Sequence, residues 1–527
     1  MREAAAQLPG VYFEVQPPGE EQSPLRTDIA GFVGETRRGP VAVPRRIESW
    51  QQFLETFGDV IEDADLALAL RGYFENGGEI AHVIRLLGKP FKSASAVWKL
   101  GQVDAVTHTW IGDAPSAGDF AASSYRVTAT SPGRWGNQVR VQARYSRLGR
   151  DGKPYVDLVV SCQGEVTEYL TGLAPESLEQ AVADGSRLIR LQALAAAPAA
   201  QSDSGPLRLE WGTLALSGGV QGRVEHADYL EGAAVMATLR EVALMAFPDL
   251  HRMPGDESRQ RNLLANAIAE ADTRLDRQVL ATLPPGTREV AEAAAWIGKV
   301  RLGFGEGLTR SLAVYHPWLE VEDPLGRPET PHRRISPVGH VAGVISRFDR
   351  ERGAHYTPAN AALFDAIDVV TGYLRRDQAL LLADGVNLVR CQAGRGLQIW
   401  GGRTAADTRQ NPSGLFLALR RLIHRLVRAI RRVAEPLVFD INGPALRLTL
   451  VRAITGVLLE AYRAGGLKGE RPNEGFQVIC DASNNPQEEQ DLGRVHCEIQ
   501  LAPAVPMEFI VLQVTFSADG RLEVIAP

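Results

Sequence analysis

Apolar and polar positions follow two different periods along this 527-residue chain, and the first ninety residues already show both. Apolar runs predict strands at 28–36 and 80–86, and a 3.6-residue period predicts helices at 49–58 and 66–74. Ser49 is a candidate N-cap for the first helix. The second helix ends at ENGG, where a glycine can take the left-handed conformation. Strands that alternate with helices are typical of an α/β core.

The pattern changes in residues 92–216, where several segments alternate between apolar and polar positions. The segments RVTAT, QVRVQARY, YVDLVVSC and EVTEYL place apolar and polar residues in turn, and SPGRWGN and GRDGK separate them as turns. This pattern is typical of antiparallel sheets with one solvated face. We predict a β-rich inserted domain here, with LQALAAAPAA (191–200) as a short helix and loop near its end.

The helical period returns after residue 216. We predict helices at 232–246, 257–274, 286–300, 359–372 and 375–384, and strands at VALMAF, RLGFG, LAVYHPW, VAGVISRF and LVRCQ. Two long helices open the last part, and the strands FQVIC, VHCEIQLAP, EFIVLQVTF and RLEVIA follow them.

These patterns predict an α/β (α+β multi-domain) fold with mixed sheets and flanking helices, in four parts. The expected parts are an N-terminal arm (1–25), a discontinuous α/β core (26–91 and 217–400), the inserted domain (92–216) and a C-terminal module (401–527).

Composition excludes several classes of protein. A hydrophobic fraction of 45% and a charged fraction of 23% are ordinary for a soluble globular chain. A net charge of −6 argues against a nucleic-acid coat. The four cysteines are widely scattered, which predicts a reducing compartment and not a disulfide framework. We also expect neither a signal peptide nor a transmembrane helix, because no apolar run is long enough.

Motifs of cofactor or metal chemistry are not evident. No phosphate-binding GxxxxGK[ST], HExxH or CxxC occurs, and GFGEG (303–307) is interpreted as a turn after a strand. Cys480 and Cys497, with Asp481 and His496, are the only candidates for metal ligands. We interpret the cysteines as small buried residues on two strands that could pair, and we predict no metal and no cofactor.

A catalytic triad could be drawn from Ser336, His340 and Asp349. The nucleophile-elbow motif GxSxG is absent, however. His340 lies at the expected start of a strand, where a structural histidine at the edge of the core is the favoured interpretation. The sequence therefore predicts no catalytic residue.

The segment LRRLIHRLVRAIRR (419–432) predicts a strongly amphipathic helix. Its apolar residues recur at the spacing of one helix face and span an arc of about 140°. The opposite arc, also about 140° wide, is filled by basic residues: Arg420, Arg421, His424, Arg425, Arg428, Arg431 and Arg432.

The partner of this basic face is open from the sequence alone. A membrane surface, a nucleic acid, bulk solvent and an acidic protein are the alternatives. Like charges four residues apart, as in Arg421/Arg425 and Arg428/Arg432, repel each other. A face that tolerates this repulsion slightly favours an acidic protein partner over solvent.

Several stretches, in order along nearly the whole chain, resemble one protein family. They are PGVY, IAGFVGETRRGP, YFENGGEIAHVIRL, SPGRWGNQVRV, YHPWLEVEDP, SPVGHVAGVISRFDRERGAHYTPAN, GVNLVR, GLQIWGGRT and the C-terminal segment 465–516. The family is the sheath protein of contractile phage tails and of phage-tail-like contractile injection systems. Residues 145–215 match it least.

The resemblance implies a mechanical role without enzymatic activity. Sheath subunits stack as rings, commonly of six, around an inner tube, and they contract to drive the tube through a target envelope. The implied partners are further copies of the chain, the inner tube protein, baseplate and tail-terminator or cap proteins, and sister sheath subunits. Neither nucleic acid nor direct membrane insertion is implied. Assembly is expected in the bacterial cytoplasm, within a phage tail or a related particle that can be released.

The resemblance also assigns roles to residues. A helix at 414–434 would touch the tube, which implicates Arg420, Arg421, Arg425, Arg428, Arg431 and Arg432. Terminal strands would complete a sheet in a neighbouring subunit, through Val11, Tyr12, Phe13, Val15, Phe509, Val511, Val514, Phe516, Leu522 and Val524. Two alternatives are kept: a hydrolase with a subtilisin-like core, and a nucleic-acid-binding module that uses the basic helix.

Overall fold

A nine-stranded sheet forms the centre of the computed structural model. The model describes residues 25–102, 122–147, 154–162, 167–196, 207–209, 213–305, 307–407, 414–506, 513–516 and 522–525. In spatial order the strands are β19 (Ala361–Ala362), β22 (Gly396–Trp400), β21 (Val386–Gln392), β16 (Leu312–His316), β15 (Gln278–Thr282), β14 (Leu244–Ala246), β1 (Ala30–Glu35), β3 (Ala81–Leu86) and β2 (Arg45–Ile47).

Six neighbouring strands, from β21 to β3, run parallel, and antiparallel strands close both edges. Every residue of β3, β15 and β16 is buried, as expected for a parallel sheet that is covered on both faces. The strand order reverses between β1 and β14. Such a reversal opens a crevice at the carboxyl ends of the strands.

Helices cover both faces of this sheet because successive strand residues point to opposite sides. Phe32 and Val33, neighbours on β1, belong to two different hydrophobic clusters. The helices are α1 (Trp50–Phe57), α2 (Leu66–Glu75), α4 (His226–Thr238), α5 (Glu257–Arg274), α6 (Val290–Phe304), α7 (Val338–Glu351) and α8 (Arg375–Ala383). A small sheet of β18 (Thr330–Ile335), β17 (Leu319–Arg327) and β20 (Asp368–Val369) lies beside them.

Two four-stranded antiparallel sheets and a helix follow β3 in the chain and enclose a separate core around Trp98 and Trp135. One sheet contains β10 (Ile189–Ala196), β6 (Ala122–Ala129), β5 (Ser95–Gln102) and β11 (Leu207–Leu209). The other contains β12 (Thr213–Ala215), β7 (Val139–Arg147), β8 (Pro154–Cys162) and β9 (Thr167–Leu173), with α3 (Leu178–Gly185) between β9 and β10. A short pair, β4 (Gly88–Lys92) and β13 (Val220–Gly222), joins this region to the central sheet. The boundaries at 92 and 216 stay a prediction.

The C-terminal part contains two long helices and short strands. They are α9 (Leu417–Ala434), α10 (Pro444–Arg463), α11 (Pro472–Gly475), β23 (Phe476–Ile479), α12 (Gln487–Asp491), β24 (Glu498–Leu501), β25 (Gln513–Phe516) and β26 (Leu522–Ile525). The α/β multi-domain class is confirmed. The Ser49 cap is confirmed too, since its hydroxyl accepts from the Gln52 backbone N–H, and Gly77 takes the expected positive φ after α2.

Three element predictions were wrong. VAGVISRF lies in helix α7, and RLGFG lies at the end of α6 and just beyond it. Residues 338–346 are all buried, so this helix lacks an exposed face whose polar residues would reveal a 3.6-residue period. Conversely, 359–372 contains no helix, only the short strands β19 and β20.

Two further predictions were wrong in part. Residues 232–246 were predicted as one helix. They contain the end of α4, which stops at Thr238, and then strand β14. Residues 191–196 of the alanine-rich stretch belong to strand β10, paired with β6, and not to a helix, and residues 197–200 lie outside the described residues. Helix propensity is a weak prior, and tertiary pairing overrides it here.

Glycines permit a close approach of α7 to α2. A Cβ on Gly339 would lie 2.1 Å from the Ala69 carbonyl oxygen, and one on Gly343 would lie 2.3 Å from that of Tyr73. Gly72 does the same for α2, since its Cβ would meet the His340 ring at 2.2 Å. The glycines in the segment 336–346 are therefore packing residues of a helix pair.

Candidate functional site: the basic helix and its surroundings

Helix α9 has the predicted position and amphipathic character, and its apolar stripe packs as expected. Leu422 and Leu426 are buried against Ile454 and Leu458 of α10, with Leu467 closing the cluster. This cluster is the core of the C-terminal part. The removal of its apolar surface from water, which contributes about 25 cal/mol per Å², is its main source of stability.

The basic face is largely covered by the chain itself. Arg421 pairs with the carboxylate of Asp349 on α7, and both side chains are only 3% exposed. Arg421 also donates to the Thr27 carbonyl at 2.9 Å. The C-terminal part is thereby joined to the central body through a buried ion pair.

Arg428 makes a second buried connection without a hydrogen-bonded carboxylate. Its guanidinium donates to the carbonyl oxygens of Asp276, Arg26, Glu241 and Val242, at 2.5–3.2 Å. The residue is 7% exposed, and burial lowers its pKa to about 10. The planar fork of arginine suits this arrangement, because its several donors reach carbonyls in different directions.

Arg420 and His424 complete the buried part of the face. Arg420 is 4% exposed, and its guanidinium lies 3.6 Å from the Asp272 carboxylate. His424 is buried among Arg420, Arg421 and Arg428, and burial together with these cations lowers its pKa well below the ordinary value. A neutral imidazole is therefore the form compatible with this site.

Contact of the six arginines with a tube stays a prediction, but three of the six do not face outward in this structure. Arg421 and Arg428 donate to carboxylate and carbonyl oxygens of the central body. Arg420 is buried 3.6 Å from the Asp272 carboxylate, and its Nε and Nη2 make no hydrogen bond with the described residues. The three others remain partly or fully exposed. Arg425 pairs with Glu460 at 3.1 Å, Arg431 lies 3.7 Å from Asp276, and Arg432 makes no ion pair with the described residues. Sequence reasoning missed the buried contacts because most of the acceptors are backbone carbonyls, which leave no signal in the sequence.

The three residues of the imagined triad have other partners. The Ser336 hydroxyl accepts from the Val338 backbone N–H at 3.4 Å, His340 Nε2 lies 3.0 Å from the Asp365 carbonyl, and Asp349 binds Arg421. His340 is fully buried between α2 and α7. This arrangement gives no support to the hydrolase alternative.

The cysteine cluster also has a structural explanation. β23 and β24 pair with Ile479 opposite Glu498, which brings Cys480 and Cys497 side by side. Burial and the neighbouring Cys480 raise the pKa of the Cys497 thiol to about 12. Asp481 instead accepts from Ser483, and His496 Nε2 lies 3.0 Å from a Glu489 oxygen. No group of three metal-binding side chains occurs in the described part of the chain.

A cluster of carboxylates that the sequence did not reveal lies at the strand-order reversal. Asp249, just after β14, accepts from the backbone N–H groups of Glu35 and Asp65 at 3.0 and 2.5 Å. Burial and the neighbouring carboxylates outweigh these hydrogen bonds and raise the pKa of Asp249 to about 7. Gly34 is required here, since a Cβ would lie 2.3 Å from the Asp249 carboxylate.

The predicted strand arms are only partly described. Val11, Tyr12, Phe13 and Val15, and also Phe509 and Val511, lie outside the described residues. Val514 and Phe516 on β25 pair with Val524 and Leu522 on β26, so these two strands form an antiparallel hairpin. Their exchange between subunits stays a prediction.

Among the helices of the described ranges, none combines the length and the apolar character needed to cross a membrane.

Comparisons with known proteins agree with the resemblance found in the sequence. Residues 222–405 match the family model of the phage tail sheath protein central domain. Tail sheath proteins of Vibrio phage KVP40 and Enterobacteria phage T4 are 28% and 22% identical over 193 and 328 residues. These alignments cover 36% and 59% of this chain, and 28% and 48% of the two relatives. The matched part is thus less than half of these relatives.

Solved structures extend the likeness in fold to almost the whole chain. The contracted helical sheath of the anti-feeding prophage matches with a TM-score of 0.57 at 19% identity, covering 97% of this chain and all of that one. The contracted sheath of the PVC extracellular contractile injection system gives 0.55 at 17% identity, covering 98% and all of that chain. A sheath tail protein of Listeria innocua gives 0.57 at 11% identity, covering 86% and 89%.

At these identities the solved structures show the fold, and residues 222–405 match the phage tail sheath protein central domain, so the chain is similar to tail sheath proteins in this part of its sequence and in its fold.

Proposed function

We propose that this protein is the structural subunit of a contractile sheath. It polymerises as helically stacked rings, six subunits to a ring, around an inner tube, and it shortens to drive that tube through a target envelope. The observation that carries the proposal is a fold shared over 97% of the chain with a sheath solved in its contracted state, together with the family match of the central domain.

The proposed work is mechanical. A sheath that rearranges without dissociating stores its energy in the packing of subunits and releases it as rigid-body movement. Such subunits need no catalytic site, cofactor or metal, and we assign none to this chain. Labelling with a broad serine-hydrolase probe, compared between the protein and Ser336→Ala, tests this part, and labelling that depends on Ser336 would contradict it.

Strand exchange is the proposed link between subunits. β23 and β24 pair only with each other among the described residues, so both outer edges of this sheet can accept a further strand. We assign the donors to residues 11–15 and to the segments 508–516 and 521–526. Main-chain hydrogen bonds tolerate tilting of the bodies that they join, which a contracting lattice requires.

The tube-facing surface is proposed on the part of α9 that stays accessible. Arg425, Arg431 and Arg432 are the arginines that can meet acidic residues of a tube, whereas Arg420, Arg421 and Arg428 hold the helix in place. Each exposed ion pair contributes about 0–1 kcal/mol. The free energies of these ion pairs add up because the contact repeats around each ring. Each single contact is weak enough to break on contraction.

The further proposed partners are baseplate proteins, a terminator or cap protein and sister sheath subunits. We place the protein in a phage tail or a phage-tail-like particle that is assembled in the bacterial cytoplasm.

Deletion of residues 1–16 tests the assembly. Electron microscopy of the full chain should show tubes or rings, and the deletion variant should remain a soluble monomer with an unchanged circular dichroism spectrum. Sheaths of normal length formed by the deletion variant would overturn the arm assignment.

A further inference from the structure

A cationic cleft of about 800 Å³ lies between α9 and the central body. Seven arginines line it, among them Arg240, Arg431 and Arg432, against the three carboxylates Glu241, Asp276 and Glu435. Its formal charge is therefore +4. We define the cationic cleft by these lining residues.

The carboxylates of the cleft already have cationic or histidine partners. Glu435 pairs with Arg240, Glu241 with Arg46 and His82, and Asp276 with Arg277. Arg428 bonds only to carbonyls, and Arg432 has no ion pair among the described residues. Arg26, Arg46 and Arg274 pair with carboxylates outside the lining, and Arg431 lies 3.7 Å from Asp276. The arginines of α9 in the cleft that lack a carboxylate partner among the described residues are therefore Arg428 and Arg432.

The described chain begins at this cleft. Leu25 lines it, and it also lines two adjoining cavities of about 490 and 350 Å³ that extend along α9 past Arg425. The preceding sequence, QPPGEEQSP (16–24), contains two glutamates and no basic residue. Extended proline-rich chains span about 3.1 Å per residue. Glu21 and Glu20 can thus reach about 12–16 Å from Leu25.

We infer that the acidic connector, residues 16–24 of the same chain, docks in the cationic cleft through Glu20 and Glu21. Charge complementarity and tethering favour this occupant. A segment joined to the cleft by four or five residues has an effective concentration in the millimolar range, so weak exposed ion pairs suffice to hold it. Docking would fix the direction in which residues 1–15 leave the subunit.

The connector would share Arg431 and Arg432 with the proposed tube-facing surface, so this inference extends the proposed function. Tube and connector would then compete for the same side chains. The connector itself can be tested on the isolated subunit, without tube or polymer. Failure of that test leaves the proposed sheath function untouched, and failure to polymerise leaves the connector inference untouched.

The test places an amine in the cleft and couples it to nearby carboxylates. Arg432→Lys in the full chain is treated with a zero-length carbodiimide reagent, and cross-linked peptides are identified by mass spectrometry. We expect a link from position 432 to Glu20 or Glu21 that Glu20→Gln/Glu21→Gln removes and that 0.5 M salt weakens. Lys299 and Glu257, 3.4 Å apart at the surface, are a built-in positive control in every variant.

Mixing of isotope-labelled and unlabelled protein identifies the source of the connector. Links confined to one isotope support docking within a chain. Links between labelled and unlabelled copies would assign the cleft to a neighbouring subunit and overturn the inference. A link from position 299 to Glu257 without any link from position 432 would overturn it as well.

Discussion

Arg421 and Asp349 form an ion pair that is buried at both ends, and it joins the basic helix α9 to helix α7 of the central body. Asp349 contacts this guanidinium, yet burial still raises the pKa of its carboxyl above the ordinary value. The pair is therefore sensitive to loss of either partner. The sequence predicts that the basic face of α9 points outward. Three of its arginines, Arg420, Arg421 and Arg428, instead contact the central body inside the subunit.

Breaking this pair should destabilise the C-terminal part. Arg421→Met leaves an uncompensated buried carboxylate, and a loss of about 3–5 kcal/mol is expected. Urea unfolding followed by hydrogen exchange of α9 and α10 measures it. Arg425→Met is the matched control, since Arg425 and Glu460 are 31% and 74% exposed and their pair contributes at most about 1 kcal/mol. If both variants lose the same small amount of unfolding free energy, the buried Arg421–Asp349 pair does not hold α9 on the central body.

Close packing of α7 on α2 predicts a sharp difference between two helical glycines. Gly339→Ala places a methyl group 2.1 Å from the Ala69 carbonyl, so overpacking should cost about 1–3 kcal/mol or more. Gly298→Ala, on α6 with nothing within 4 Å, should instead stabilise by roughly 0.5–1 kcal/mol. Thermal unfolding of the two variants decides the matter, and a stabilising Gly339→Ala would show that the helices do not approach so closely.

The raised pKa of Asp249 predicts that the stability of the protein depends on pH. Its pKa is about 7 in the folded chain and 3.8 without the fold, so the native state binds more protons between these values. Stability then falls as the pH rises from about 4 to 7. Asp249→Asn should flatten this slope, whatever its effect on absolute stability. Glu231→Gln, at an exposed position of α4, should leave the slope unchanged; an unchanged slope in Asp249→Asn would refute the assignment.

Charge reversal separates the tube-facing role of α9 from its internal role. Arg425→Glu/Arg432→Glu should leave the subunit folded and weaken its co-assembly with tube by roughly tenfold or more, because several repeated surface pairs are lost. Arg428→Glu should unfold the C-terminal part, since it sets a carboxylate against four carbonyl oxygens. Sedimentation of sheath with tube, alongside circular dichroism, reads out both effects. Normal co-assembly of the first variant would exclude these two arginines as tube contacts.

Elements with a clear period could be predicted from the sequence, and elements without one could not. Helix α9 was predicted almost to the residue because one face is apolar and the other basic. Helix α7 was missed because its residues 338–346 are all buried, so burial and not polarity determines the composition of this part. The Ser49 cap was found because capping is local.

The candidate site could be predicted only in outline. Its residue types and helical face were evident, but the partners of Arg421 and Arg428 come from residues up to 402 positions distant. Most of them are carbonyl groups that every residue carries. The direction in which a basic face points therefore depends on tertiary packing, which the helical period alone does not contain.

The most direct measurement of the central claim is a helical reconstruction, by electron microscopy, of the polymer that the full chain forms. We predict stacked rings in which a neighbour's terminal strands extend the β23–β24 sheet, with Arg425 and Arg432 lining the lumen and Arg421 buried on Asp349. A chain that stays monomeric at high concentration, with or without a tube, would contradict the account. So would a polymer in which both edges of that sheet are left unpaired.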